Sequence, residues 1–392
     1  MGALLEHNRR QGVSTAVWGD AGAEAARQAL QCVAAELPAC SDGEATTALR
    51  LDTPLDLAYG VHCDAPERLH FPQRGGLPGL NSSPVSLEVA LLKGGVVRLW
   101  QGYHLVSQGT ALVADASSAY WPLAGGLLCG DGLLPPAEPT RREELPEAFL
   151  VCDDVDGTNF CHFVCDVLPK IALAGECRRR IPLVVDAPCQ PFQRELLERV
   201  AARWGHPIVP LEPGLELAVG QLFYLRRAIH IHPLLRCSGL AMGWVRQLVD
   251  ARPAPAPAPA GSVLYLCRQR RRVVNEAALI AALQRHTPRL QVVHGLEGLG
   301  VREQAELVGR HQRVLGPHGA AFTHLLFAGA APQRALELMA EGNGTLSFAL
   351  ISARLGIDHR IHVGAALPSA NGPNYPDLRV DPEAVLALLE ED

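Results

Sequence analysis

Past residue 261 the chain alternates without a break between short apolar runs and longer amphipathic ones. "SVLYLCR" precedes "NEAALIAALQRH", "LQVVHG" precedes "REQAELVGRHQ", and "RVLGP" precedes "AAFTHLLFA". "ALELM", "LSFALISARLG", "HRIHVG" and "DPEAVLALLEED" carry the pattern onward. The short runs have the length and composition of strands, and the longer ones repeat apolar residues at helical spacing. Strands joined by single helices pair in parallel, because the crossover helix returns the chain to the same end of the sheet. Open parallel sheets bind ligands beyond the carboxyl ends of their strands, so the residues that follow each strand are the ones to inspect.

Upstream lies "ARPAPAPAPAG", Ala251 to Gly261, whose alternating proline favours an extended, fairly stiff spacer. Before it, "VSLEVALLKGGVVRLWQGYHLVSQGTALVADAS" reads as β-hairpins broken by Gly-Gly and Gln-Gly. After Leu150 the pattern turns to α/β, with helix "NFCHFVCDVLPKIALAGE", strand "IPLVVDA", helix "PFQRELLERVAARWG" and strands "HPIVPL" and "QLFYLRRAIHI". The expected fold class is α/β, with two Rossmann-like domains facing a cleft and a β-hairpin-rich N-terminal region. The expected divisions are 1–80, which holds one helix, "DAGAEAARQALQCVAAELP"; 81–250, hairpins then Rossmann-like; the 251–261 linker; a 262–365 Rossmann-like domain; and a 366–392 tail and helix.

Composition narrows the function. A chain of 392 residues, 48% hydrophobic and 19% charged, can bury large cores. Its formal charge of −6 argues against a nucleic-acid binder that relies on overall positive charge. Attraction for an anionic ligand must come from a local cluster. The 11 cysteines are scattered and contain no CxxC pair, which suits small buried residues in a reducing compartment. No secretory leader is expected, no apolar run of about eighteen residues suggests a membrane span, and Glu6 breaks a myristoylation pattern.

Four places carry candidate chemistry. In "VLGPHGAAFTHLLFA", Gly316, His318, Gly319 and Ala320 stand where a strand passes into a helix. A helix start offers unpaired N–H groups to an anion, glycine lets the backbone approach it, and His318 adds a donor. In "LYLCRQRRRVVNE", Arg268, Arg270, Arg271 and Arg272 follow a strand, and guanidinium groups suit phosphate oxygens. Asn275 and Glu276 read as residues that open the next helix. Glu337, in "ALELM", is either ion-paired or available to ribose or sugar hydroxyls. His162 and Asp166, four apart in "NFCHFVCDVLPKI", share a helical face and form either a general base with its orienting carboxylate or a packing pair. Pro169 ends or bends that helix. "CDDVDG" places Asp153, Asp154 and Asp156 in what reads as a turn, and no convincing DxD-type diphosphate–metal motif occurs.

Taken together and in order, "NFCHFVCDVLPKI", "LYLCRQRRRVVNE", "REQAELV", "VLGPHGAAFTHLLFA" and "ALELM" resemble glycosyltransferase family 61, in the capsular polysaccharide biosynthesis type of its bacterial members. The resemblance runs from about Val85 to Gly364. It departs where relatives commonly carry Tyr and Trp around the helical histidine and this chain has Cys161 and Phe163, and where His324 replaces an Asn. It implies a GT-B fold, with a nucleotide-sugar donor, by family habit a UDP-sugar, on the C-terminal domain. The 81–250 domain then serves the acceptor. The resemblance also implies inversion at the anomeric carbon with no obligatory metal and no cofactor.

On that reading His162 and Asp166 supply the base, Arg268, Arg272, His318 and the chain from Gly319 neutralise the diphosphate, and Glu337 holds hydroxyls. The partners are a nucleotide-sugar donor and a glycan or glycolipid acceptor in surface or capsular polysaccharide synthesis. The enzyme is then cytoplasmic, with attachment at the inner membrane face left open. The alternatives are a non-catalytic nucleotide- or glycan-binding module, and a GT-B-type epimerase or hydrolase.

Overall fold

The alternation past residue 261 folds into a parallel sheet flanked by helices. The computed structural model describes residues 49–50, 61–68, 86–87, 89–100, 103–109, 111–113, 116–117, 128–129, 132–133, 138–152, 157–176, 180–225, 245–249, 258–328, 332–342, 346–371 and 375–390. Internal contacts divide the chain into two units: Met1–Leu51 with Ser86–Pro233, and Asp52–Val85 with Leu234–Asp392. That division falls ahead of the proline spacer, and it assigns residues 52–85 to the second unit. Most of the spacer (251–257), the helix expected near residue 20 and the aspartates 153, 154 and 156 lie outside the described residues.

In the first unit, strands β1 (Val89–Trp100), β2 (Tyr103–Gln108), β3 (Ala111–Leu112), β4 (Arg141–Leu150), β5 (Leu183–Asp186), β6 (Ile208–Leu211) and β7 (Leu215–Leu225) form one sheet in the order β6-β5-β4-β7-β1-β2-β3. The strands from β6 to β7 run parallel, and β1, β2 and β3 add antiparallel. The expected hairpins are therefore the antiparallel half of a mixed sheet. Between β4 and β5 comes helix α1, built from Phe160–His162, Phe163–Val167 and Leu168–Glu176, and α2 (Pro191–Trp204) joins β5 to β6.

The second unit orders β8 (Val263–Leu266), β9 (Leu290–Val293), β10 (Arg313–Pro317), β11 (Arg334–Ala340), β12 (Asp358–Leu367) and β13 (Asp377–Arg379) as β9-β8-β10-β11-β12-β13. The first five are mutually parallel, β13 closes one edge antiparallel, and the short strand Val61–Cys63 pairs with β12. Counted from β8, the parallel order is 2-1-3-4-5, which reverses direction between β8 and β10. In a doubly wound sheet that reversal opens a crevice at the strand ends.

Side chains alternate across the strands, so the two faces carry different content. Val263, Tyr265, Leu336 and Leu338 pack with Leu279 and Leu283 of α3 (Glu276–His286) and with Leu386 and Leu389 of α6 (Pro382–Glu390). The last helix, set outside the 262–365 domain in the sequence reading, thus completes the core on that face. The other face is covered by α4 (Val301–Gly309), the short 3₁₀ stretch Ala320–Leu326 and α5 (Ser347–Leu355), and Glu337 lies on that side between Leu336 and Leu338. No helix among the described residues is long and apolar enough to cross a membrane.

Candidate active site

The strand reversal between β8 and β10 brings Arg268, just past β8, against His318, just past β10. The Arg268 guanidinium donates through Nη1 to the His318 carbonyl. Gly319 permits this approach, since a Cβ there would collide with the same guanidinium. Gly316 is similarly confined, because an added Cβ would come 2.7 Å from the Leu266 carbonyl oxygen. His318 keeps its own amide in the sheet, donating to Leu338 O at 2.8 Å. Burial lowers the Arg268 pKa to about 10, helped by the neighbouring Arg271 charge. The group therefore stays cationic at neutral pH.

Behind His318 runs a buried polar chain. Glu337 is fully buried, with one carboxylate oxygen against His318 Nδ1 and the other 3.0 Å from His359 Nε2. His359 Nδ1 in turn lies 2.9 Å from Ser352 Oγ on α5. Burial alone would raise the Glu337 pKa, but the charge and hydrogen bonds of His318 and His359 outweigh it and hold the carboxyl at about 2. An ionised carboxylate only accepts, so both histidine nitrogens that face it must donate. The His318 tautomer is then set from behind, and Nε2 becomes the nitrogen that can serve a ligand. Glu337 itself has no exposed surface and both its oxygens are engaged, so it does not reach a donor hydroxyl. Of the two readings the sequence offered for Glu337, the structure shows the ion-paired one.

The other expected residues are less uniform. Arg272 donates its amide and Nε to Asp377 at 3.1 and 3.0 Å, which ties β13 to the loop after β8, while most of its side chain stays exposed. Arg271 takes a left-handed conformation (φ 55°) and lies over the Tyr375 ring, 4.9 Å from its centroid. Ala320 opens not an α-helix but the short 3₁₀ stretch Ala320–Leu326. The α-helix start expected there is therefore replaced by a short 3₁₀ turn, beside which Arg268 and His318 meet. Asn275 stands at the N-cap of the next helix, where its carbonyl accepts from the Leu279 amide, but its side chain makes no capping bond and instead pairs with the Val380 backbone in both directions.

Sequence reasoning missed several neighbours. Cys267, Gln269, Glu276 and His294 line, with Arg268 and Arg272, a pocket of about 360 Å³ at the same strand ends. His294 stands immediately after β9, where the rule that selects strand-following residues also points. Ser352 and His359 carry no signal in the sequence, because one lies within a helix and the other on a buried strand. The cysteines are not uniformly buried either: Cys152, Cys161 and Cys165 are, Cys63 and Cys267 are half-buried, and Cys189 is exposed.

In the first unit, Asn159 starts α1 by accepting from the Cys161 amide at 2.9 Å. Over Phe163–Val167 the helix widens to the i→i+5 pattern, and the Leu168 amide bonds to the Phe163 carbonyl. Such wide turns recur at functional sites. This one stands immediately upstream of Pro169, whose ring would otherwise press on the Cys165 carbonyl. The helix consequently runs on through Pro169 to Glu176 instead of ending there. His162 Nδ1 lies 3.1 Å from Asp166 Oδ2, with the His162 side chain 18% exposed and that of Asp166 4%. Edge-on contacts of Phe160 and Phe163 with Phe192 seat this segment on α2.

Compared with known protein families, residues 160–336 match the model of the family Glycosyltransferase 61. No curated protein matches the chain. The matched span takes in His162, Asp166, Arg268, Arg272, Gly316, His318, Gly319 and Ala320, and it stops one residue short of Glu337. The match spans less than half of the chain and makes this part of it similar to glycosyltransferase family 61.

Proposed function

We propose that this chain is an inverting, metal-independent glycosyltransferase of family 61 and of the GT-B type, transferring a hexose or pentose from a nucleoside diphosphate to a glycan or glycolipid hydroxyl. The family resemblance favours UDP as the nucleotide, cytoplasmic action and a role in surface or capsular polysaccharide synthesis. The observation that carries the reading is the contact of Arg268 with His318 at the strand reversal of the second unit. There a fixed guanidinium and an oriented imidazole meet where a doubly wound sheet binds its ligand.

Transfer asks for three things. The acceptor hydroxyl must lose its proton, the new bond to the anomeric carbon must form as the bond to the diphosphate breaks, and the departing charge must be neutralised. His162 takes the proton at Nε2 while Asp166 accepts from Nδ1–H and steadies the resulting imidazolium. The greater exposure of His162 supports this division of labour over direct action by Asp166. The leaving diphosphate is met by Arg268, by the exposed Arg272 and by His318, which donates from Nε2 when both its nitrogens carry protons. Fixed donors of this kind stabilise developing charge without reorganising at the moment of reaction.

The reading is tested by mixing the purified chain with a panel of nucleotide-sugars and glycan acceptors, with and without EDTA. One donor class should raise the melting temperature by mass action and support transfer that EDTA leaves unchanged. Nucleotide binding without sugar release would leave only a binding module, and release to water in the presence of acceptors would make the chain a hydrolase.

A further inference from the structure

We infer that the second unit binds a zinc-class divalent cation through Cys267, Glu276 and His294. These residues come from three separate chain positions at one end of the sheet: Cys267 directly follows β8, Glu276 opens α3, and His294 directly follows β9. Their thiol, carboxylate and imidazole ligand atoms all lie within 4.8 Å of one another. All three line the same pocket of about 360 Å³, so a fourth position is open to solvent or to a small ligand. Three protein ligands with an open fourth position are the arrangement of accessible zinc sites, and a thiolate selects zinc over magnesium or calcium.

A tetrahedral zinc ion brings its ligand atoms to roughly 3.5 Å apart, so atoms within 4.8 Å of one another need close by no more than about 1.3 Å. His294 is exposed and can swing to do so. Glu276 is already oriented from behind, because Tyr265 Oη donates to its Oε1 at 2.9 Å. Such outer hydrogen bonds commonly fix metal-binding carboxylates. The two nearby arginines direct their charge elsewhere, Arg268 to the His318 carbonyl and Arg272 to Asp377. On binding, the Cys267 thiol proton leaves to solvent as the sulfur–metal bond forms, and the metal keeps its charge state. The pocket is shared with Arg268 and Arg272 of the transfer scheme, but the metal takes no step in that scheme and neither proposal depends on the other.

The experiment uses the full chain, stripped of metal by a chelator and titrated with Zn²⁺ by calorimetry and with Co²⁺ by absorbance. One equivalent should bind, and cobalt should give the thiolate charge-transfer and tetrahedral ligand-field bands. Cys267→Ser should abolish the charge-transfer band, and His294→Ala, at an exposed position, should weaken zinc about tenfold or more with the melting temperature of the metal-free protein unchanged. Cys189→Ser, which removes an exposed thiol, should change nothing. Absence of stoichiometric binding, or binding that survives both Cys267→Ser and His294→Ala, would overturn the assignment, as would its loss in Cys189→Ser.

Discussion

At Glu337 burial and charge pull in opposite directions, and the outcome explains why a carboxylate can sit inside a hydrophobic sheet. Leu336 and Leu338 face one side of β11 and Glu337 the other, where His318 and His359 take both its oxygens. An unpaired carboxylate there would be costly, and a paired one becomes a rigid anchor. Replacing it by Gln leaves one acceptor oxygen for two donating rings. Glu337→Gln should therefore weaken nucleotide binding about tenfold to a hundredfold, the worth of a charge-assisted hydrogen bond, although Glu337 touches no ligand. Retention of full affinity, measured by calorimetry, would show that His318 needs no such anchor. His162 and Asp166 make the complementary case. His162→Ala should lower kcat by about 10²–10⁴-fold with donor affinity intact, the usual worth of a positioned base. Unchanged turnover in both His162→Ala and Asp166→Asn would remove the base assignment.

Among the elements, the turn after β10 is the most demanding. Gly319 has extended backbone angles that any residue could adopt, so its requirement comes from space: a Cβ would collide with the Arg268 guanidinium. Gly319→Ala should push Arg268 from the His318 carbonyl and weaken nucleotide binding, with the fold and melting temperature little changed. The C-terminal helix α6 makes the opposite demand. Leu389 is fully buried with Leu386 against α3, so Leu389→Ala should destabilise the protein by about 2–5 kcal/mol in denaturant titration. Ending the domain at residue 365 left this helix outside its core, because an amphipathic helix at a chain end looks the same whether its apolar face is covered or not. Strand β4 escaped for a different reason. Its first residues, "RREEL", are charged and mostly exposed, and only Ala148 to Leu150 are buried, so no alternation marks it. Whether the helix ends or bends at Pro169 stayed open in the sequence because the relief that lets a helix pass a proline, a widened turn upstream, has no residue signature of its own.

Across the whole molecule, pattern proved more legible than contact. The order of strands and helices past residue 261 could be read because each element carries its own periodicity, and the carboxyl-edge rule then pointed to Arg268 and His318, which the structure brings into contact. The partners that tune them could not be read: His359 meets Glu337, and Ser352 meets His359, only because α5 and β12 pack on that face, which is a tertiary fact. The same buried groups set the response to acid. Burial lowers the His324 pKa from its ordinary 6.5 to about 3, and the histidines hold Glu337 at about 2 instead of 4.5. Both folded values lie below the unfolded ones, so the unfolded chain binds the extra protons and stability falls as pH falls. His324 contributes between about 6.5 and 3 and Glu337 between about 4.5 and 2, each at up to about 1.4 kcal/mol per pH unit. His324→Asn should flatten the first window in urea titrations at stepped pH and leave the second. The most direct measurement for the account as a whole is calorimetric titration of UDP and UDP-sugars, in EDTA, into the wild-type chain, Arg268→Ala and His318→Ala. Binding that persists in EDTA and falls about tenfold or more in each variant is the predicted result. Equal affinity in all three proteins would contradict it.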